Sequence, residues 1–148
     1  MSGEWASYIC NVNGKVASIF LNLALRVSAP DESRPWLLFV KVRMKHARSD
    51  GLSSPEEFDA LLSIEEKLVP LVEELCGAEY AGSITSQGHR EFYFYGSDPV
   101  ALKNAGRQMA TVFDTYKFKG GKKEDPTWRH FLLCMCPPDK TESESVPN

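Results

Sequence analysis

The chain begins with an alternation of hydrophobic and polar positions that is typical of β-strands. This pattern predicts one strand over Trp5–Val12 and a second over residues 16–27. Between them lies Asn13-Gly14, a dipeptide that readily adopts the positive φ angles of a tight hairpin turn. After a polar loop, a third strand is predicted over residues 36–46.

A second hairpin is predicted at residues 82–96, where two strand-forming runs meet at Ser86-Gln87-Gly88. Its second strand is almost wholly aromatic over residues 92–95. Aromatic residues favour strands that pack against other residues. We therefore expect at least one face of this hairpin to be covered.

Two cap signals predict helices. Ser54-Pro55-Glu56-Glu57 combines a capping serine, a proline at the first helical position and a glutamate that would complete a capping box. The apolar spacing that follows predicts a helix up to Gly77, kinked or broken at Pro70. Ser97-Asp98-Pro99 predicts a second helix that ends before Tyr116.

The last part of the chain carries weaker patterns. We predict a short strand over residues 116–119, a charged loop over residues 120–126 and a last strand over residues 128–136. Residues 138–148 are polar and have no apolar periodicity, so we expect a disordered tail. A chain of 148 residues is long enough for one core, and residues 1–137 are predicted to form a single domain.

The order of the elements predicts the fold class. After the first hairpin they follow as strand, helix, strand, strand, helix, strand. This order predicts an α+β fold with a ferredoxin-like antiparallel sheet, two helices on one face and an extra N-terminal β-hairpin. The sequence leaves open whether this hairpin extends the sheet or covers its open face.

The third predicted strand has an apolar and a basic set of alternate positions. Its apolar set, suited to the helix side, consists of Leu38, Val40, Val42 and Met44. Its basic set, on the opposite face, consists of Lys41, Arg43 and Lys45. Tyr93 and Tyr95 are predicted on that same face, and cations beside aromatic rings are the chemistry of a platform for single-stranded RNA. Alternatively, the tyrosines pack under the N-terminal hairpin and the cations form a solvated stripe.

Composition excludes a strong global attraction to nucleic acids or anionic membranes. Hydrophobic residues make up 43% of the chain and charged residues 25%, and the net charge is −3. No apolar run is long enough to span a membrane, and the start lacks a basic region followed by an apolar run. We therefore expect a cytoplasmic protein without a membrane partner.

Neither a metal site nor a catalytic motif is predicted. The four cysteines and three histidines are scattered, apart from Cys134 and Cys136, and structural zinc requires four ligands. We expect reduced thiols and no cofactor. The chain lacks the nucleophile, phosphate-loop and metalloprotease motifs, so we expect a protein that is not an enzyme.

Three segments of the chain are MKHARSDGLSSPEEFDALLSIEEKL, GSITSQGHREFYFYG and EDPTWRHFLLCMCP. Together they resemble the bacterial domain-of-unknown-function family numbered six-ninety-five. The resemblance extends from residue 5 to residue 137. The positions that match the family pattern are Asp50-Gly51, Glu57, residues 90–95, Glu124-Asp125-Pro126 and Trp128. The final strand departs from it, because residues 133–136 stand where similar sequences carry a more aromatic segment.

The resemblance implies no activity. In some bacterial proteins a similar domain precedes one that resembles regulator of ribonuclease activity B, which favours a binding or regulatory role by analogy. Our leading hypothesis is a non-enzymatic protein that engages a protein partner through the open sheet face or the loop near Asp50 and Trp128. A toxin-neutralising immunity role would be one form of it, and a homodimer stays open.

Two alternatives remain at this stage. The first is an RNA-binding module that uses the three cations and two tyrosines of the open sheet face. The second is a small-ligand binder or enzyme with a pocket near Arg43, Arg90 and Glu91. The parity of the aromatic strand points Arg90 inward, where a buried arginine requires a partner that Glu57 or Glu124 could supply.

Overall fold

A computed structural model describes residues 4–137 and contains, within that range, one antiparallel sheet of six strands. The strands are β1 (Trp5–Val12), β2 (Lys15–Asn22), β3 (Trp36–Arg43), β4 (Ala78–Ser86), β5 (His89–Gly96) and β6 (Phe118–Glu124). Their order in the sheet is β1-β2-β4-β5-β3-β6. The predicted α+β class is confirmed, and the N-terminal hairpin extends the sheet beside β4, which makes it larger than a four-stranded ferredoxin-like sheet. The tail predicted at residues 138–148 lies outside the described residues.

Helical segments lie on both faces of the sheet. They are α1 (Leu25–Ser28), a 3₁₀ turn (Pro55–Glu57), α2 (Phe58–Cys76), α3 (Leu102–Val112) and a C-terminal π-helix (His130–Met135). One core lies between the sheet and the helices α2 and α3. A second core lies on the opposite face, under α1 and the π-helix.

Both predicted hairpin turns are confirmed. Asn13 and Gly14 have φ angles of 52° and 81°, and Gln87 and Gly88 have φ angles of 52° and 83°. Two consecutive positive φ angles match the right-handed twist of paired strands, which is why these two-residue loops connect them.

A bulge in β4 allows β2 to pair with it. The register of β4 against β5 shifts between Tyr80 and Gly82, and Gly82 has a φ angle of 145°. A Cβ atom at Gly82 would lie 2.0 Å from the carbonyl oxygen of Phe20. Only glycine therefore permits this approach of the two backbones.

The inward positions of β3 and β5 are those that the alternation predicted. Leu38, Val40 and Val42 of β3 pack with Phe92 and Phe94 of β5 in the core under α2 and α3. Strand periodicity alone fixes this arrangement, because successive side chains point to opposite faces.

The open sheet face predicted from the sequence is wrong. On that face Tyr93 and Tyr95 are buried in the second core with Trp128 and Phe131. The cover is the C-terminal π-helix and not the N-terminal hairpin, so neither interpretation of the two tyrosines is correct in full.

The last strand predicted over residues 128–136 is also wrong, because this segment turns over the sheet face. The carboxylate of Asp125 accepts hydrogen bonds from the backbone N–H groups of Arg129 and His130, at 2.9 Å each. Trp128 has a φ angle of 54°, which reverses the chain before the π-helix. A short apolar run is compatible with either a strand or a buried helical segment, and these contacts select the helix.

The edge position beside β3 is taken by β6 instead, which includes residues predicted as a loop. The ring of Phe39 lies across Gly121, where a Cβ atom would be 2.1 Å from it. The absence of a side chain at Gly121 therefore lets β6 pair with β3 under this ring.

The first long helix differs from the prediction at its start. Ser54 is the N-cap residue of the 3₁₀ turn, but its side chain makes no capping hydrogen bond. Glu57 is buried and does not complete a capping box. The helix α2 then runs without a break through Pro70 and ends, as predicted, at Gly77, which is in the left-handed conformation.

Two predicted strands end earlier than expected. β2 stops at Asn22, whose side-chain oxygen accepts hydrogen bonds from the N–H groups of Glu4 and Ala24 and turns the chain into α1. β3 stops at Arg43, because the backbone N–H groups of Lys45 and His46 donate to the Glu57 carboxylate and not to a neighbouring strand.

Candidate functional site

Tyr95 and Trp128, two of the nine candidate residues, form the centre of the second core. Tyr95 is 0% exposed and Trp128 1%, and their rings stack at 4.1 Å. The Tyr95 hydroxyl donates to Asp125 at 2.6 Å and accepts from the Phe131 N–H at 3.1 Å. Burial, together with the hydrogen bond to Asp125, raises the pKa of Tyr95. Neither ring can contact a partner on the protein surface.

Tyr93 is buried as well. Its ring lies 4.5 Å from that of His130 and 6.3 Å from that of Phe39. Burial raises the pKa of Tyr93 and lowers that of His130, because both charged forms lose their hydration. The platform for single-stranded RNA predicted on this face therefore lacks the aromatic rings that it requires.

The three candidate cations do not form one stripe. Lys41 is half-buried and Arg43 is exposed, both on the face of the second core. Lys45 lies beyond the end of β3, where its Nζ donates to Thr115 Oγ1 at 2.5 Å and sits 4.3 Å from the centre of the Tyr116 ring. Lys45 therefore belongs to the helix side of the sheet.

Asp50 stabilises its own loop. Its carboxylate accepts from the Leu52 N–H at 3.1 Å and pairs with Arg48 at 2.6 Å, and both charged side chains are largely exposed. An exposed pair of this kind contributes little to stability. The predicted contact surface of Asp50 with Trp128 is not formed, because Trp128 is buried.

Arg90 is separated from Arg43 and Glu91 by the sheet. It lies on the helix side of β5, whereas Glu91 and Arg43 lie on the opposite face. The pocket predicted near these three residues is therefore wrong. Arg90 instead lines a polar cavity of about 210 Å³ with Ser18, Phe20, Glu65, Ser83 and Thr85.

The ion pair predicted for Arg90 is wrong too. The carboxylate of Glu57 accepts from the N–H groups of Lys45 and His46 at 2.7 Å each and from the Tyr116 hydroxyl at 2.6 Å. Burial alone would raise the pKa of Glu57, but these hydrogen bonds outweigh it and hold the pKa below its usual value. Among the ion pairs of residues 4–137, none joins Arg90 to Glu57 or Glu124.

The helix-side face of the N-terminal hairpin is largely uncovered. Ile9 on this face is 61% exposed, and Trp5 stacks on Phe20 at 4.8 Å. A groove of about 490 Å³ separates the hairpin from α2 and is lined by Trp5, Phe20, Glu65, Glu66, Val69, Pro70 and Tyr80. It adjoins the polar cavity, because Phe20 and Glu65 line both.

Within residues 4–137, no strand pairs with the outer edge of β1. The Leu23 N–H donates to the carbonyl of Glu4, and hydrogen-bonded pairs alternate along an antiparallel ladder. Ala6, Tyr8 and Cys10 therefore bond to β2. The residues that direct their N–H and C=O groups outward are Trp5, Ser7, Ile9 and Asn11.

Sequence reasoning did not single out this hairpin as a site, although a signal was present. The segment Trp5–Val12 contains no charged residue and no proline, so it lacks the residues that usually protect an edge strand from pairing with another chain. Its edge position depends on the order of the strands, and only the tertiary structure shows that order.

Among the helices of residues 4–137, none has the length and hydrophobicity that crossing a membrane requires. The same part of the chain holds no group of three or more His, Cys, Asp or Glu residues placed to bind a metal ion.

Searches of curated proteins and of solved structures found no similar protein. The sequence model of a family of unknown function, DUF695, matches residues 3–133, and the chain therefore belongs to this family.

Proposed function

We propose that the chain is a non-enzymatic binding protein that takes an extended strand of a protein partner onto the outer edge of β1. The observation that carries this proposal is the difference between the two edges of the sheet. The segment Phe118–Glu124 at the β6 edge contains three lysines, which discourage pairing with another strand. The β1 edge contains no charge at all.

Backbone hydrogen bonds would supply the affinity of this interaction. The outward N–H and C=O groups of β1 are the ones that an added strand pairs with. An added strand would also cover Ile9, which is 61% exposed. Alternate side chains of the partner would then continue the two faces of the hairpin and provide specificity.

The helix-side groove extends this binding surface. Phe58, Leu62 and Val69 recur at helical spacing on the side of α2 that carries Glu65, and Glu65 and Val69 line the groove. Phe58 is 62% exposed and Leu62 39%. Apolar side chains on both walls favour a partner segment whose helix-side residues are apolar.

The wider context agrees with a regulatory role. The last four strands of the chain have the order β4-β5-β3-β6, with α2 and α3 on one face, which supports a ferredoxin-like arrangement within the larger sheet. Some bacterial proteins carry a similar domain before one that resembles regulator of ribonuclease activity B, and by analogy we propose a regulatory protein that acts in the cytoplasm.

Replacing Ser7 with proline tests the proposal. Ser7→Pro removes one outward N–H without removing a bond to β2, and proline is tolerated on edge strands, so we expect a stability change of less than about 1 kcal/mol. A tagged wild-type protein should retain a partner from an extract of its own host at moderate salt, and Ser7→Pro should lose it. Amide hydrogen exchange of the purified complex should slow at Ser7 and Ile9.

The matched control replaces an exposed apolar residue far from the edge. Val112 at the end of α3 is 55% exposed, and Val112→Lys should retain the partner that Ile9→Lys loses. A partner that binds Ser7→Pro and Ile9→Lys as well as wild type would contradict the proposal. A dimer of the isolated protein that Ser7→Pro dissociates would assign the edge to a second copy, and would also contradict it.

A further inference from the structure

Arg90 holds a half-buried positive charge without a carboxylate partner among residues 4–137. Its Nε donates to Thr85 Oγ1 at 2.8 Å, and its Nη2 donates to Ser53 Oγ at 3.3 Å. A guanidinium has five N–H donors, so donors remain beyond these two bonds. Burial lowers the pKa of Arg90, but an arginine stays charged at neutral pH. Such a charge is costly to bury unless an anion accompanies it.

Glu65 places a negative charge on the wall of the same cavity. Its Oε2 accepts from the Tyr80 hydroxyl at 2.7 Å, which fixes the carboxylate, and it forms no ion pair with a described residue. Arg90 and Glu65 line the polar cavity of about 210 Å³ together, yet they lie too far apart to pair directly. The space between them thus has a cation on one side and an anion on the other.

The polar cavity continues into the apolar groove of about 490 Å³. An aromatic wall on the sheet side consists of Trp5, Phe20 and Tyr80. The ring centroid of Trp5 lies 4.8 Å from that of Phe20 and 5.3 Å from that of Tyr80. Val69 and Pro70 of α2 form the opposite wall. Binding sites for small molecules commonly combine an apolar enclosure with a few convergent polar groups, as here.

We propose that this cavity binds a zwitterionic ligand of the α-amino acid type with a large apolar side chain. Arg90 holds the ligand carboxylate, since a guanidinium fork matches a carboxylate with two parallel hydrogen bonds. Glu65 holds the ligand ammonium group. The side chain of the ligand enters the groove between this aromatic wall and Val69 and Pro70 of α2.

The ligand chemistry follows from the residues that meet at the junction. An anion alone would satisfy Arg90 but would lie near the carboxylate of Glu65, and a cation alone would lie near Arg90. A ligand that carries an ammonium and a carboxylate group on one carbon atom is favourable at both residues. The proposed strand partner would share the groove with this ligand, but the ligand site uses side chains and not the backbone edge of β1, so a titration of the protein alone tests it separately.

Calorimetric titration with four probe compounds tests the proposal on the wild-type protein. L-phenylalanine carries all three groups, hydrocinnamate lacks the ammonium group, phenethylamine lacks the carboxylate, and glycine lacks the apolar side chain. We expect L-phenylalanine to bind at millimolar concentrations or below. Each of the other three should bind at least about tenfold more weakly, because hydrocinnamate and phenethylamine each lose one charged contact and glycine loses the apolar contacts in the groove.

Two variants locate the binding. Arg90→Met removes the charge and keeps an unbranched side chain, and Glu65→Gln removes the negative charge and keeps the shape of the side chain. Both should weaken L-phenylalanine binding by at least about tenfold. Arg43→Met is the matched control, since Arg43 is exposed on the opposite face, and it should bind as wild type does.

Three results would overturn the proposal. The first is no binding of L-phenylalanine at millimolar concentration, and the second is hydrocinnamate binding as tightly as L-phenylalanine. The third is an unchanged affinity for L-phenylalanine in Glu65→Gln. Glu65 lies on α2 and not in the sheet, so this variant still tests the proposal if Arg90→Met does not fold.

Discussion

Asp125 connects the last strand to the helix that covers the aromatic face, so replacing it should loosen that cover. Its Oδ1 accepts from the Arg129 N–H, and its Oδ2 accepts from the His130 N–H and the Tyr95 hydroxyl. Asp125→Asn keeps the size of the side chain and one acceptor, but it replaces the second acceptor with an N–H donor. The His130 N–H then faces a donor and loses its bond.

The size of the effect follows from these contacts. A hydrogen bond to a charged group contributes about 1.5–3 kcal/mol, and an unsatisfied buried donor costs about 1–3 kcal/mol. The Tyr95 hydroxyl can rotate and keep a bond to the asparagine. We therefore count one lost hydrogen bond, that of the His130 N–H, and two bonds, from Tyr95 and Arg129, whose acceptor is no longer charged. We expect Asp125→Asn to lower the free energy of unfolding by about 3 kcal/mol, which corresponds to a Tm lower by about 6–12 °C for a chain of this size.

Urea denaturation monitored by tryptophan fluorescence measures this change, since Trp128 stacks on Tyr95 beside the carboxylate. Asp114→Asn is the matched control, because Asp114 is exposed, and it should change stability by less than about 0.5 kcal/mol. A loss of less than about 1 kcal/mol in Asp125→Asn would refute the idea that this carboxylate anchors the π-helix.

The pH dependence of the same variant has a definite sign. Burial alone would raise the pKa of Asp125, but hydrogen bonds from Tyr95, His130 and Arg129 outweigh it, and the pKa is lowered. A carboxylate with a lowered pKa stabilises the folded state above its unfolded pKa of about 3.9, and this contribution is lost as the pH falls further. The stability difference between wild type and Asp125→Asn should therefore shrink below a pH of about 4.

The remaining predictions concern a second buried carboxylate and two glycines. Glu57→Gln should lower stability by about 2–3 kcal/mol in urea denaturation at neutral pH, because it removes a charged acceptor from Tyr116 and two backbone N–H groups; an unchanged midpoint would contradict this. Gly82→Ala should cost at least about 2 kcal/mol and expose the hairpin to proteolysis, because its Cβ would clash with Phe20. Gly106→Ala in α3, with nothing within 4 Å, should instead raise stability by about 0.5–1 kcal/mol, and a loss there would count against the glycine argument.

Local features of the fold could be predicted from the sequence. The two hairpin turns, the inward residues of β3 and β5, the helix α3 and the end of α2 at Gly77 all depend on neighbours close in the chain. Turn dipeptides, alternation and capping signals describe such neighbours directly. This is why those predictions are confirmed.

The candidate site was predictable only in part. The inward direction of Arg90 followed from strand parity, but its neighbours Ser53, Glu65 and Ser18 come from three different elements. Glu57 had the right spacing for a capping box, and its carboxylate instead binds the backbone after β3. Competition of this kind between local and distant partners cannot be seen in one sequence.

The sequence by itself determined the α+β class, the hairpins and one apolar face of the sheet, because these depend on short-range periodicity. The tertiary structure alone decided that the π-helix covers Tyr93 and Tyr95 and that the hairpin forms an edge. The physical reason is that the last apolar segment can be buried as a strand or as a helix. The contacts of Asp125 and the pairing of β6 with β3 determine which of the two forms.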